Sequence, residues 1–228
     1  MRVERVLAPN PSLFTGPGTN TYVISSAGDA IVLDPGPIID RHLASIETAL
    51  DALTPTAVIV THTHPDHAPA ANVLGARLGV PVLGHSPGPE FEPSATLADG
   101  DVVSVGEVDL HAIHTPGHTD DHLCYRIADA IFTGDHIMGG STVIVEDAAA
   151  YMASLRRLEV VRREFVDNVS HELKTPLTAI RGQIETLLDD GDMDLSTRER
   201  FLRKARDQAL RLSALVTDLL VLSRIEAE

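Results

Sequence analysis

The segment Thr61-His62-Thr63-His64-Pro65-Asp66-His67 puts three imidazoles and a carboxylate within six residues. Imidazole nitrogen and carboxylate oxygen are donors that divalent zinc prefers, and such an ion activates water and polarises an acyl or phosphoryl group. The run predicts a metal centre built on His62, His64, Asp66 and His67, against the alternative of histidines clustered by chance in a loop. Two later segments carry donors of the same kind. His118 lies in His114-Thr115-Pro116-Gly117-His118-Thr119, and Asp135 in Thr133-Gly134-Asp135-His136. A carboxylate such as Asp135 bridges two cations more readily than a histidine does.

For these groups to meet, the chain must deliver them from the ends of strands. The apolar run 57–60 reads as a buried strand, and alternation along it brings His62 and His64 out on one side. Pro65 breaks the strand and leaves Asp66 and His67 at a helix start, turned back to the same pocket. Residues 108–113 form another strand, whose Pro116-Gly117 turn aims His118 outward, and 130–132 a third that presents Asp135. Upstream, 21–24 and 30–33 read as strands joined by the turn Ala27-Gly28-Asp29, the second ending in Asp34-Pro35-Gly36. Apolar spacing predicts a helix over 41–53 and another over 70–78 closed by Gly79, with further strands at 80–83 and 102–105. That order predicts a layered α/β sandwich with its site along one edge of the sheets.

The His62-x-His64-x-Asp66-His67 motif, the Pro116-Gly117-His118-Thr119 turn and the Thr133-Gly134-Asp135 turn occur in the order used by the metallo-β-lactamase superfamily, which residues 1–160 resemble. Gly18-Thr19-Asn20-Thr21-Tyr22 and Gly117-His118-Thr119-Asp120-Asp121-His122 look like the branch called β-lactamase-like protein 2, whose members are hydrolases and single-strand endoribonucleases. The resemblance implies an αββα sandwich and a zinc-dependent hydrolase of esters, thioesters or phosphodiesters, with a small molecule or RNA as substrate. Residue by residue, it implies that His62, His64 and His118 hold a first zinc and that Asp66, His67 and Asp135 hold a second. Asp135 is shared between the ions, and Asp66 also counts among the catalytic groups. The superfamily supplies a last histidine to the second ion from a turn after the final strand. Beyond His136 this sequence has His171 alone, in different surroundings, so the expectation is one or two zinc ions in a sandwich short of its last strand.

Residues 1–145 hold thirteen of the fourteen prolines and ten of the eleven histidines, whereas the chain from Glu146 onward is rich in Ala, Leu, Arg and Glu. The shift predicts a helical C-terminal part. One helix is expected from Asp147, kinked at Pro176 and ended by Gly191, with a stripe of Phe165, Val169, Leu173, Leu177, Ile180, Ile184 and Leu187. Ser196-Thr197-Arg198-Glu199 reads as the cap of a second, whose stripe is Leu202, Ala205, Ala209, Leu212, Val216, Leu219 and Leu222. A hairpin cannot bury such faces alone, which predicts a dimeric four-helix bundle.

Within the first helix, Ser170-His171-Glu172-Leu173-Lys174-Thr175-Pro176 resembles the phosphoacceptor box of sensor histidine kinases, and 160–228 their dimerisation and phosphotransfer domain. The resemblance implies that His171 accepts a phosphoryl group, Glu172 takes its proton and Thr175 positions water for dephosphorylating a partner. The sequence has no Gly-rich nucleotide loop or Asn-rich box, so histidine kinase activity of the chain itself is not expected. Its phosphoryl partner is then a kinase or response regulator in trans. The expected domains are 1–158 and 159–228, the second forming a homodimer. The alternative to a hydrolase fused to a dimeriser is a phosphorelay signalling protein whose N-terminal part binds metal without catalysis or is a relic.

The net charge of −15 argues against a nonspecific nucleic-acid surface. The single cysteine, Cys124, excludes an intramolecular disulfide, fits a reducing compartment, and reads as core within Leu123-Cys124-Tyr125. No stretch has the apolar length of a membrane span or a signal-peptide core, so a soluble cytoplasmic protein is expected. His42 and His85 read as solvent-exposed. His111, His114, His122 and His136 read as core residues or hydrogen-bonding neighbours of the ligands.

Overall fold

Strand alternation organises the N-terminal half. In β3 (Asp29–Leu33), Ala30 and Val32 enter one apolar core while Ile31 and Leu33 enter another; β4 (Thr54–Ile59) divides Val58 from Ala57 and Ile59 in the same way. These strands are buried on both faces, which is why their sequences are almost continuously apolar. They lie in a six-stranded sheet ordered β1 (Arg2–Leu7), β2 (Asn20–Ser26), β3, β4, β5 (Val82–Gly84) and β6 (Ala95–Thr96). Pairing is antiparallel as far as β3 and parallel beyond it. Ala27 and Gly28 both take positive φ, 51° and 94°, as a two-residue hairpin with the strands' own twist requires.

Two helices, α1 (Asp40–Ala49) and α2 (Ala70–Leu78), close one core with Leu43, Ile46 and Leu74. The other lies against a four-stranded antiparallel sheet ordered β10 (Ala130–Phe132), β9 (Leu123–Ile127), β8 (Val108–His114) and β7 (Val102–Val105). Ile24, Ile31, Ile59 and Leu110 are fully buried there, and each contributes roughly 1.5–3 kcal/mol.

This computed structural model describes residues 1–128, 130–138, 143–189 and 194–225, with the backbone alone at 164–172 and 214–225. It divides into two units, Met1–Arg156 and Arg157–Glu228. Several element bounds differ from the sequence reading, that of α1 among them. α1 stops at Ala49 rather than 53, because Thr54 N already donates to Gly28 O (2.8 Å) at the start of β4. α2 spans Ala70–Leu78 as expected, but Asp66 and His67 do not open a helix: His67 N and Ala68 N both donate back to His64 O (3.0 and 3.1 Å) and make 64–68 a tight turn.

The C-terminal part is helical, beginning within the first unit. α3 (Ala148–Asp189) runs through Pro176, and its first turn is capped by Asp147, whose Oδ1 accepts from Ala149 N and Ala150 N at 2.8 and 3.0 Å. α4 (Leu195–Ile225) is capped by Asp194 and not by Ser196: Asp194 Oδ1 accepts from Ser196 Oγ and Thr197 N at 2.6 and 3.0 Å. The apolar stripe of α3 splits into half-buried Leu173, Ile180 and Leu187 and exposed Leu177 and Ile184; on α4, Ala205 and Leu212 are half-buried while Leu202 and Ala209 are exposed. Gly191 and the side chains of Phe165, Val169, Val216, Leu219 and Leu222 lie outside the described residues. No described helix is long and apolar enough to cross a membrane.

Candidate metal centre

One buried carboxylate organises the site. Parallel pairing aligns Leu33 with Ile59, so Asp34, with φ of 51°, comes to lie beside Thr61. Thr61 N donates to Asp34 Oδ1 at 2.6 Å, and Thr61 Oγ1 donates to Asp34 Oδ2 at 2.8 Å. With its one proton spent on Asp34, the Thr61 hydroxyl can only accept from His62 Nδ1, 2.9 Å away. His62 Nε2 is therefore left with a bare lone pair. His67 Nδ1 donates to the same Asp34 Oδ2 at 3.0 Å, which turns Nε2 toward Asp135 Oδ1 (3.2 Å) and Asp66 Oδ2 (3.4 Å).

The third imidazole is fixed by backbone. His118 Nδ1 donates to the Ile144 carbonyl at 2.6 Å, so its Nε2 is also bare. His62 Nε2, His64 Nδ1 and His118 Nε2 then converge, separated by 2.9, 3.1 and 3.3 Å. At most one proton, on His64 Nδ1, serves the three. Such a cluster of lone pairs is repulsive by itself and suits a divalent ion with nitrogen ligands. Burial lowers the pKa of His62 well below its ordinary value, with His67 and the other nearby rings adding to the effect, and burial and His118 lower that of His64. Both are thus held as the neutral, ligating form. Burial opposes a charge on His67, but Asp34 and Asp135 outweigh it and raise its pKa well above the ordinary value; a proton there competes with a metal ion for the lone pair.

All six ligands expected from the sequence come together. The donors of His62, His64, His118 and Asp135 lie within 4.8 Å of one another, as do those of Asp66, His67 and Asp135, so the two groups share Asp135. Burial works against ionisation of Asp135, but the hydrogen bond and charge of His67, with His118 and His64, bring its pKa below the ordinary value. Asp135 stands on a 3-10 turn, Gly134–His136, whose glycine has φ of 48°; a Cβ there meets Thr61 Oγ1 at 2.8 Å and His122 Nε2 at 2.9 Å.

The metallo-beta-lactamase superfamily model matches residues 14–166, more than half of the sequence. The chain belongs to this superfamily. The model of the His Kinase A (phospho-acceptor) domain matches residues 161–228. Within the superfamily, the chain is similar to an atrochrysone carboxyl ACP thioesterase of Aspergillus chevalieri, 37% identical over 162 residues covering 68% of this chain and 51% of the relative. The chain thus spans about half the length of the curated relatives it matches. Among solved structures, ETHE1 from Myxococcus xanthus is similar with a TM-score of 0.57 and 29% identity, covering 69% of each chain. TTHA1623 in a di-iron-bound form gives a TM-score of 0.53 and 26% identity over 62% of this chain and 81% of that one. These neighbours share the superfamily fold expected from the motifs.

Sequence reasoning passed over the groups that hold the candidate ligands in place. Asp34 had one signal, since it ends a strand as the ligands do. Asp121 Oδ2 accepts from Thr63 N at 3.0 Å and steadies the backbone between His62 and His64. The start of α3 is tied to the His118 turn: Gly117 O accepts from Glu146 N and Asp147 N (2.8 and 3.1 Å), and Ser154 Oγ donates to Pro116 O at 2.8 Å.

Two histidine readings are corrected. His42 is buried, with Nε2 2.9 Å from Thr21 Oγ1, because it shares the inner face of α1 with Ile46. His85 is half-buried, stacked on His114 at 4.3 Å with Nδ1 donating to Leu97 O at 3.0 Å. His122 and His136 are fully buried, and the His122 ring lies 5.1 Å from that of His62. Thr175 is exposed on α3; the side chains of His171 and Glu172 lie outside the described residues.

Proposed function

We propose that residues 1–158 form a zinc-dependent hydrolase of thioesters or esters, and that residues 159–228 join two copies through a phosphotransfer hairpin. The observation that carries the first part is the convergence of His62 Nε2, His64 Nδ1 and His118 Nε2, two of them stripped of protons by their partners. By the superfamily pattern, these three hold one ion, and Asp66, His67 and Asp135 a second. Bound there, zinc supplies Lewis-acid polarisation of the scissile carbonyl and brings the pKa of water down to about 7. Asp34 holds His62 and His67 in their ligating tautomers. Asp66 Oδ1 accepts the proton of the attacking water and returns it to the leaving group.

Charge favours an acyl substrate over RNA. Residues 1–156 contain nineteen Asp and Glu against six Arg and no Lys, a surface that repels a polyanion. The thioesterase named among the relatives supports the same choice. The test is zinc content by elemental analysis beside H62A, followed by thiol release from an acyl thioester in parallel with an ester and single-stranded RNA. Cys124 does not interfere, since burial pushes its thiol up to about 12. Two ions per chain are expected, with thioester cleavage falling on the order of 10³-fold in H62A. A metal-free wild type, or RNA cleaved while thioesters are not, overturns the reading.

The match to the phosphoacceptor model supports the second part. Leu177, Ile184, Leu188, Leu202 and Leu210 are 46–77% exposed, leaving an apolar strip on each helix for a second copy. Light scattering is expected to give twice the 24.4 kDa chain mass for wild type and the chain mass for L177E/I184E. With phosphoramidate as donor, His171 is expected to take the phosphoryl group as ammonia leaves, giving acid-labile phosphate that H171A lacks.

A further inference from the structure

Thr19 stands between Asn10 and Asp66, and the ends of this short chain fix the direction of every proton in it. Thr19 N donates to Asn10 Oδ1 at 3.0 Å, which identifies that atom as the amide oxygen and the other as its nitrogen. Asn10 Nδ2 then donates to Thr19 Oγ1 at 3.1 Å. The remaining proton of the hydroxyl points to Asp66 Oδ2, also at 3.1 Å. The loop that carries both residues is held by its own bonds: Thr15 Oγ1 donates to Asn10 O at 2.6 Å and Ala8 N to Thr19 O at 2.9 Å. Thr19 is 5% exposed, so water does not compete for its hydroxyl.

Asp66 needs this partner. Its carboxylate torsion is broad and roughly two-fold, and its side chain is 27% exposed, against 6% for His67. Left alone, the carboxylate exchanges its oxygens freely. Oδ2 is the oxygen that faces His67 Nε2, at 3.4 Å. We infer that Thr19 is a positioning residue: its committed hydroxyl fixes the plane of Asp66, assigns Oδ2 to the metal group with His67, and leaves Oδ1 to carry the proton in hydrolysis. Asn10 acts one step further out by denying the Thr19 proton any other acceptor. The functional consequence rests on the hydrolase reading above, whereas the orientation of Asp66 does not.

Three variants of the full chain test the donor order. T19V removes the hydroxyl at nearly constant shape, T19S keeps it, and N10D replaces the donor to Thr19 by an acceptor that draws the hydroxyl proton away from Asp66. Crystal structures grown without metal are expected to show the Asp66 plane turned in T19V and N10D and unchanged in T19S. Zinc affinity by chelator competition is expected to fall about 10–100-fold at the second ion alone in T19V and N10D, with the first ion retained and the protein still folded. T19S is expected to match wild type. If T19V and N10D keep the Asp66 plane, the assignment is wrong, and equal loss of both ions or of the fold in both variants reduces Thr19 to a structural residue and also overturns it. A wild type that binds no zinc removes the hydrolase reading, while the crystal comparison still decides the role of Thr19.

Discussion

Replacing Asp34 by Asn is expected to weaken zinc at both sites by about 10–100-fold each, the cost typical of losing a partner behind a ligand. The substitution is nearly isosteric and keeps the backbone, because Asn tolerates the φ of 51° as well as Asp does. What changes is the proton inventory. Asp34 accepts from Thr61 N with one oxygen and from Thr61 Oγ1 and His67 Nδ1 with the other. An amide has a single oxygen, so one of these places must be taken by an NH₂. If the oxygen stays with Thr61 N, the NH₂ meets two donors. Relief then requires His67 to move its proton to Nε2 and Thr61 to accept instead of donate, which in turn reverses His62. Both imidazoles would present N–H where a ligand needs a lone pair. Loss of charge-assisted bonds at a buried carboxylate adds about 1.5–3 kcal/mol each to the cost for folding. Chelator competition and a metal-free thermal melt separate the two effects, and wild-type affinity at both sites in D34N would refute the tautomer argument.

The grouping of the candidate ligands was legible where the Asp34 network was not, for a physical reason. His62, His64, Asp66 and His67 carry their geometry in local spacing: a strand end sets the face of two residues, and the turn after Pro65 sets the rest. Asp34 reaches Thr61 across 27 residues of sequence. That contact depends on the parallel register of β3 and β4, two neighbouring strands separated in sequence by α1, and neither strand alone reveals it. The Ile144 carbonyl that orients His118 has no residue-type signature at all, since any backbone supplies it. His42 shows the opposite failure. Its four-residue spacing to Ile46 was visible, but residue type was given more weight than position, and a polar residue with a hydrogen-bond partner can sit on a buried face. At the start of α4 two good caps stood two residues apart, and the carboxylate of Asp194 won over Ser196 because it accepts from both the following hydroxyl and Thr197 N.

The second large effect is expected at Gly117, where Ala should displace either His118 or the start of α3. Gly117 has φ of 132°, a conformation that side chains avoid, and a Cβ there would overlap Tyr151 N and Cα and lie 2.6 Å from Tyr151 Cβ. The obstacle is helix backbone, so trimming the Tyr151 side chain cannot relieve it. Gly117 O meanwhile accepts from Glu146 N and Asp147 N, and Tyr151 OH donates to His136 O at 2.8 Å, next to Asp135, which the two candidate ligand groups share. Moving the helix start therefore breaks bonds that hold the turns of two proposed ligands, His118 and Asp135, and moving the His118 turn misplaces one of them directly. Strain of about 1–3 kcal/mol is expected in the thermal melt. A shift near 1 Å at the reacting groups costs on the order of 10²-fold in hydrolysis. S154A is the graded control, since it removes only the bond to Pro116 O and should cost about 1 kcal/mol. The same turn that aims His118 also seats the first residues of a helix continuing to Asp189, so amide exchange along Ala148–Arg156 is expected to slow when zinc is added to wild type and not to G117A. Equal protection in both proteins would show that the His118 turn and the helix start are independent.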